Sequence, residues 1–91
     1  MEEEKIISHI TIYPNPATTN ANIVLNSLQN GETKIIMLDM LGKNVLNIYS
    51  GNIINGTNYF TVDISALPAG MYFIIAEIEN NEVVTQKLIV E

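Results

Sequence analysis

The chain contains no cysteine, no arginine and no tryptophan. Without cysteine there is neither a disulfide framework nor a thiolate metal site to supplement a small core. The four cations are Lys5, Lys34, Lys43 and Lys87, set against ten aspartates and glutamates for a net charge of −6. Nucleic-acid binding needs a basic field to release counterions and arginine forks for base edges, so no nucleic-acid partner is expected. An acidic surface also disfavours anionic membranes, and no apolar run approaches a membrane span, so no direct membrane insertion is expected. His9 is the only histidine. With no second histidine and no cysteine, a zinc- or copper-type ligand cluster does not assemble in the usual way. No metal or cofactor is expected, and His9 reads as an exposed residue beside the first strand. The start, Met1-Glu2-Glu3-Glu4-Lys5, is acidic where a signal peptide begins basic and continues apolar. The expectation is therefore either a cytosolic protein or part of a longer exported one.

What the chain does have is alternation. Its 91 residues fit one small domain, and 47% are hydrophobic, enough for a core. Thr, Ile, Val, Tyr and Phe dominate runs of period two, the pattern of half-buried strands, and Gly and Asn punctuate them. The spacing predicts strands at about 7–13, 21–28, 33–39, 43–49, 59–64, 71–78 and 82–90. Within each strand the alternation sets Ile10 and Ile12, Ile23 and Leu25, Ile35 and Met37, then Phe60, Val62 and Ile64 on one face. The run from Met71 to Ile78 is nearly all apolar and reads as a central strand covered on both faces. Asn30-Gly31 and Asn55-Gly56 are hairpin signals, because both residue types accept positive φ. Ser50–Asn58 reads as a Gly/Asn-rich connection, and Asn80-Asn81 as a further turn. Seven short strands separated by turns argue for an all-β, immunoglobulin-like antiparallel sandwich in two sheets, with a small barrel as the alternative.

Individual residues carry structural readings first. Asp39 opens Asp39-Met40-Leu41-Gly42, a tight turn in which the carboxylate accepts backbone N–H bonds and Gly42 supplies the fourth position. Asp63 likewise precedes a turn, so the pair reads as turn caps rather than as an acid/base couple. Asn55-Gly56-Thr57 matches a glycosylation triplet, but its turn role already explains it. In Leu67-Pro68-Ala69-Gly70-Met71-Tyr72, a tyrosine just inside a strand can bond its hydroxyl back to the corner, as tyrosine corners do. Tyr49 or Tyr59 would form the platform of a carbohydrate-binding or adhesion sandwich, the main rival function. If the third and sixth strands are neighbours, Ile36, Leu38, Phe73 and Ile75 form one apolar outer patch of the kind that marks partner surfaces.

The order of motifs then becomes specific. Tyr13-Pro14-Asn15-Pro16-Ala17-Thr18 opens the domain. Leu38-Asp39-Met40-Leu41-Gly42-Lys43-Asn44-Val45 follows, then Val62-Asp63-Ile64-Ser65-Ala66-Leu67-Pro68-Ala69-Gly70-Met71-Tyr72-Phe73, and finally Lys87-Leu88-Ile89-Val90. In order and size this resembles the C-terminal sorting domain of the type IX secretion system of the Bacteroidetes. The resemblance covers residues 10–91 and leaves 1–9 as an extension or linker. It implies an immunoglobulin-like, non-catalytic module at the C-terminal end of an exported protein. The partners it implies are the type IX translocon, an outer-membrane shuttle protein and the sortase of an attachment complex, met during periplasmic transit on the way to the cell surface or medium. Its recognition candidates here are Pro14, Asn15, Pro16, Asp39, Gly42, Leu67, Gly70, Tyr72, Lys87, Leu88, Ile89 and Val90. The final residue is Glu91 where many members carry a base.

Two physical expectations accompany the resemblance. Pro14 and Pro16 preset φ and hold Asn15 extended, so the chain leaves the first strand while the Asn side chain bonds nearby backbone. The last strand, from Glu82, is expected to present an open edge to which the machinery adds a strand. Such an edge, or the apolar patch, would also support a homodimer.

Overall fold

A computed structural model of the chain describes residues 8–79 and 82–91. Alternation becomes seven strands: β1 (His9–Tyr13), β2 (Asn20–Ser27), β3 (Gly31–Leu38), β4 (Asn44–Ile53), β5 (Gly56–Asp63), β6 (Gly70–Ile78) and β7 (Glu82–Val90). They form a three-stranded sheet ordered β1-β2-β5 and a four-stranded sheet ordered β4-β3-β6-β7. All strand pairs are antiparallel. This is the immunoglobulin-like sandwich that the periodicity implies.

The core lies between the sheets. Ile10 and Ile12 of β1, Ala21, Ile23 and Leu25 of β2, and Val62 of β5 point in from one side. Ile35 and Met37 of β3, Tyr72, Ile74, Ala76 and Ile78 of β6, and Leu88 and Val90 of β7 answer from the other. Each buried Ile or Leu contributes about 1.5–3 kcal/mol relative to exposure, which is why the period-two faces settle inward.

Three expectations need correction. The Asn-Gly pairs do not make hairpins: β2 and β3 lie in different sheets, as do β4 and β5, so both pairs are crossings between layers. Only the glycines take positive φ, +149° at Gly31 and +114° at Gly56. The asparagines instead tie the crossings together, Asn55 N donating to Asn30 Oδ1 (2.7 Å) and Asn55 Nδ2 to the Leu28 carbonyl (2.9 Å). Second, the Ser50–Asn58 stretch is largely strand. β4 continues to Ile53, which is buried, and β5 begins at Gly56. Register shifts between Ile35 and Ile36 and between Met37 and Leu38 break the period of two only before Tyr49; beyond it β4 pairs regularly with β3, and its turn-type residues Ser50, Gly51 and Asn52 hide it in the sequence.

Third, β6 is central in its sheet but is covered on one face only. Met71, Phe73 and Ile75 face outward and are half-buried by their neighbours, with no second layer over them among the described residues. Phe60 shares the core-facing side of β5 with Val62, as the alternation predicts. It is half-buried and packs against the core from the sheet margin, its ring 4.7 Å from that of Tyr49. The turn expected at Asn80-Asn81 falls outside the described residues.

Candidate recognition surfaces

The Pro-Asn-Pro segment is where the chain changes sheets. β1 ends at Tyr13, and Ala17 makes an isolated parallel bridge to Val90 in the opposite layer. The peptide bonds before Pro14 and Pro16 are both cis. Between the prolines, the Asn15 side chain does the work of a peptide unit. Its Nδ2 donates to the Lys87 carbonyl and its Oδ1 accepts from the Ile89 N–H, both at 2.9 Å. Ala17 continues the pattern: its N–H donates to the Ile89 carbonyl (2.9 Å) and its carbonyl accepts from the Glu91 N–H (2.8 Å). Asn15 is thus held to backbone at the other end of the sequence, not to neighbours along the chain. The opening motif and the terminal motif form one contiguous structure.

This closes part of the edge that was expected to be open. Among the described residues β7 has only β6 as a strand neighbour, so it is the edge strand of its sheet. From the Lys87 carbonyl to the Glu91 N–H, however, its outward backbone groups are paired with the strap of Asn15 and Ala17. The terminal motif also divides by face. Leu88 and Val90 are buried in the core, whereas Lys87 is exposed and Ile89 half-buried on the outer face.

The two turn motifs hold as expected. Asp39 Oδ1 accepts from the N–H groups of Leu41 and Lys43, both at 2.9 Å, and Gly42 turns with φ +85° while its N–H bonds the Asp39 carbonyl. The Lys43 N–H chiefly, aided by the Leu41 N–H, holds the Asp39 carboxyl below its ordinary value against the opposing cost of desolvation. Asp63 is lowered chiefly by the Ser65 hydroxyl (2.7 Å) and then by the Ser65 N–H (2.9 Å). At the corner, Leu67 packs against the core and Gly70 opens β6. The Tyr72 hydroxyl donates to the Pro68 carbonyl at 2.6 Å, the tyrosine-corner geometry.

The assumed neighbourhood of β3 and β6 is real: Ile36 pairs with Ile75 and Leu38 with Phe73. Next to them Met71 pairs with Ile89, and Phe73 with Lys87. The outer face of the four-stranded sheet therefore carries one apolar stripe that includes part of the terminal motif. Lys34 and Glu77, opposite each other in register, border it together with Lys87. A hollow of about 210 Å³ sits at one end, lined by Lys34, Ile36, Ile75, Glu77 and Val83. At the other end Met40 and Leu41, 68% and 93% exposed, border a second hollow shared with Met71.

The outer face of the three-stranded sheet is polar by contrast. Asn26 bonds the Thr57 hydroxyl (2.9 Å), and Asn22 the Thr61 hydroxyl (3.1 Å). Exposed His9 lies 3.3 Å from the Asn26 amide. Tyr59 stands 73% exposed on this face. Tyr49 does not join it: its ring packs against Phe60 and its hydroxyl bonds the Asn52 carbonyl at 2.6 Å.

Sequence reading missed one polar node. Glu82 accepts from the Ser8 N–H (2.9 Å), the Ser8 hydroxyl (3.0 Å) and the Gln29 amide (3.2 Å), while Ser8 Oγ accepts from the Leu28 N–H (3.0 Å). Ser8 is buried, and its N–H is the main cause of the lowered Glu82 pKa. The partners lie 20 to 74 residues apart, and no local spacing announces them.

Among the described residues no three His, Cys, Asp or Glu side chains come together as a metal site would require. No helix of the described residues is long and apolar enough to cross a membrane. No curated protein matches the chain. Among solved structures it is similar to the CARDB domain of a Pyrococcus furiosus protein, crystallised in complex with di-metal ions. That likeness has a TM-score of 0.57 at 18% identity, covering 93% of this chain and 86% of the other, and it concerns the fold alone. Residues 11–91 match the family described as the secretion system C-terminal sorting domain, which takes in the strap, the turn, the corner and the terminal strand. The chain belongs to that family: it is a C-terminal sorting signal of type IX secretion, recognised by that machinery and directing export to the cell surface or medium.

Proposed function

We propose that the type IX machinery reads this domain as a folded module, through the outer face of the four-stranded sheet. The translocon, an outer-membrane shuttle protein and an attachment-complex sortase meet it in turn after passage through the periplasm. The domain itself catalyses nothing; it labels its cargo. One observation carries this reading. Ile36, Leu38, Phe73 and Ile75 form an apolar stripe contiguous with Ile89 of the terminal motif, while Leu88 and Val90 of that motif are buried and closed to any partner. Contiguous apolar patches bordered by polar residues mark protein interaction sites.

The test is a reporter fused ahead of the domain, expressed in a type IX-competent strain and in one lacking the translocon. Deleting Lys87–Glu91 discriminates poorly, because it strips Leu88 and Val90 from the core. The better variant is Phe73→Lys with Ile75→Lys, which charges the outer face and leaves the core side chains in place. The wild type should reach the medium or surface only in the competent strain. The double variant, folded by circular dichroism, should lose roughly tenfold or more of that export, the effect expected of a like change at an interface centre. Undiminished export of the folded double variant would overturn the reading.

The glycan-binding alternative has one observation in its favour, the exposed Tyr59 on a face of asparagine and threonine. It requires sugar pull-down that is lost on Tyr59→Ala. Tyr49, committed to Phe60 and Asn52, takes no part in it.

A further inference from the structure

The strap and the terminal strand hold a consequence that goes beyond sorting. We propose that the Asn15–Ala17 strap is a gate over the edge of β7, and that this edge, when uncovered, pairs with the same edge of a second copy of the chain.

Four outward backbone groups define the covered edge: the Lys87 carbonyl, both groups of Ile89, and the Glu91 N–H. Each is held by the strap at 2.8–2.9 Å. The strap is a poor template for any further strand. Pro14 and Pro16 have no N–H to offer, and the Ala17 N–H and carbonyl are already spent on β7. Proline at an edge is a recognised guard against edge-to-edge association. Two of the four bonds, moreover, come from the single side chain of Asn15. That side chain lies on an exposed segment, so this half of the closure is the half that opens at least cost.

What fits the uncovered edge follows from the same four groups. Two β7 edges brought together antiparallel about a two-fold axis at Ile89 exchange both Ile89 bonds. The next pair in the ladder sets Lys87 of one copy against Glu91 of the other, bonding the Lys87 carbonyl to the Glu91 N–H. All four groups that the strap releases are satisfied again. The same register places a lysine beside a glutamate across the strand pair, a favourable combination. Moving the axis to Lys87 would instead oppose two lysines. Strap and second copy compete for identical groups, so binding one excludes the other.

The purified domain tests this independently of any secretion assay. Asn15→Ala removes two strap bonds and leaves both prolines. Hydrogen exchange at the Ile89 amide should rise about tenfold or more. Sedimentation should show a dimer for this variant at a concentration where the wild type is monomeric. Adding Ile89→Pro, which deletes an outward donor that β6 does not use, should restore the monomer. Adding Glu91→Lys instead should weaken the dimer through the Lys87 contact. A monomeric Asn15→Ala protein whose Ile89 amide is as protected as in the wild type overturns the proposal. So does a dimer indifferent to Ile89→Pro. Should Asn15→Ala not fold, the wild type decides. The Ile89 and Glu91 amides should exchange through a local opening at low denaturant, ahead of Ile35 and Ile74; exchange only with global unfolding would refute a gate.

Discussion

Replacing Tyr72 by Phe isolates the corner that precedes β6. The ring stays, so the buried volume is kept and no cavity term arises. What is lost is one hydrogen bond, from the hydroxyl to the Pro68 carbonyl at 2.6 Å. Pro68 is exposed, so water can take over its carbonyl and no buried acceptor is stranded. The expected cost is therefore the net value of a single bond, about 1 kcal/mol. For a domain of this size the urea m-value is about 1 kcal/mol/M, so the unfolding midpoint should fall by about 1 M with the slope unchanged. Tyr72→Ala removes the ring as well from a position only 6% exposed. It should cost about 3–5 kcal/mol, close to the whole stability of a small domain. Urea titration followed by circular dichroism reads both variants. A Phe variant with an unmoved midpoint would mean that the corner bond stabilises nothing. A Phe variant as damaged as the Ala variant would mean that the hydroxyl, not the ring, organises the corner. Either result refutes the reasoning.

Other outcomes follow from the same structure. Thr33 is 3% exposed and its hydroxyl has no hydrogen-bond partner among the described residues. Thr33→Val should therefore stabilise the domain, by about 1 kcal/mol in urea titration, because it removes a stranded buried oxygen at nearly constant shape. Asp39, Asp63 and Glu82 all have folded-state pKa values below their ordinary ones, through bonds from Lys43, Ser65 and Ser8 respectively. In each case the unfolded chain binds the proton more readily, so the stabilisation is complete above the unfolded pKa and is lost as pH falls through the folded one. Thermal midpoints should be insensitive to these groups at neutral pH and should drop as pH passes below the ordinary values of 4.5 for Glu82 and 3.8 for the aspartates. Glu82→Gln should flatten the upper part of that decline.

The sequence was most legible where structure is local. Period-two alternation placed Ile23 and Leu25, Ile35 and Met37 inside, and Asp39 and Tyr72 disclosed their turn and corner through residues two to four positions away. It was least legible where a signal reports backbone conformation but not sheet membership. Asn30-Gly31 and Asn55-Gly56 announce a permissive turn. Nothing in either dipeptide says whether the next strand stays in the sheet or crosses to the other layer. β4 escaped recognition beyond Tyr49 because Ser50, Gly51 and Asn52 are turn-forming residue types, although they pair with β3 in regular register. Phe60 shares the parity of Val62 and faces the core as alternation predicts, but β5 is an edge strand and its inward face is only partly covered there.

The proposed recognition surface shows the same division. Ile36, Leu38, Phe73 and Ile75 could be read as a patch once two strands were taken as neighbours, since alternation fixes the faces. The closure of the β7 edge could not be. It depends on Asn15 meeting backbone 72 and 74 residues further along, a contact that no spacing rule encodes. Motif order pointed to both ends of this contact without revealing that they touch. The Ser8–Gln29–Glu82 node is invisible for the same reason: three ordinary polar residues acquire meaning only when three segments converge.

Photo-crosslinking in cells caught during export measures most directly whether the machinery reads the outer face of the four-stranded sheet. A crosslinking phenylalanine analogue placed at Phe73 should capture the translocon or its shuttle. The same analogue at Tyr59, on the opposite sheet, should capture neither while export proceeds. Capture from Tyr59 and silence from Phe73, with both fusions exported, would contradict the assignment.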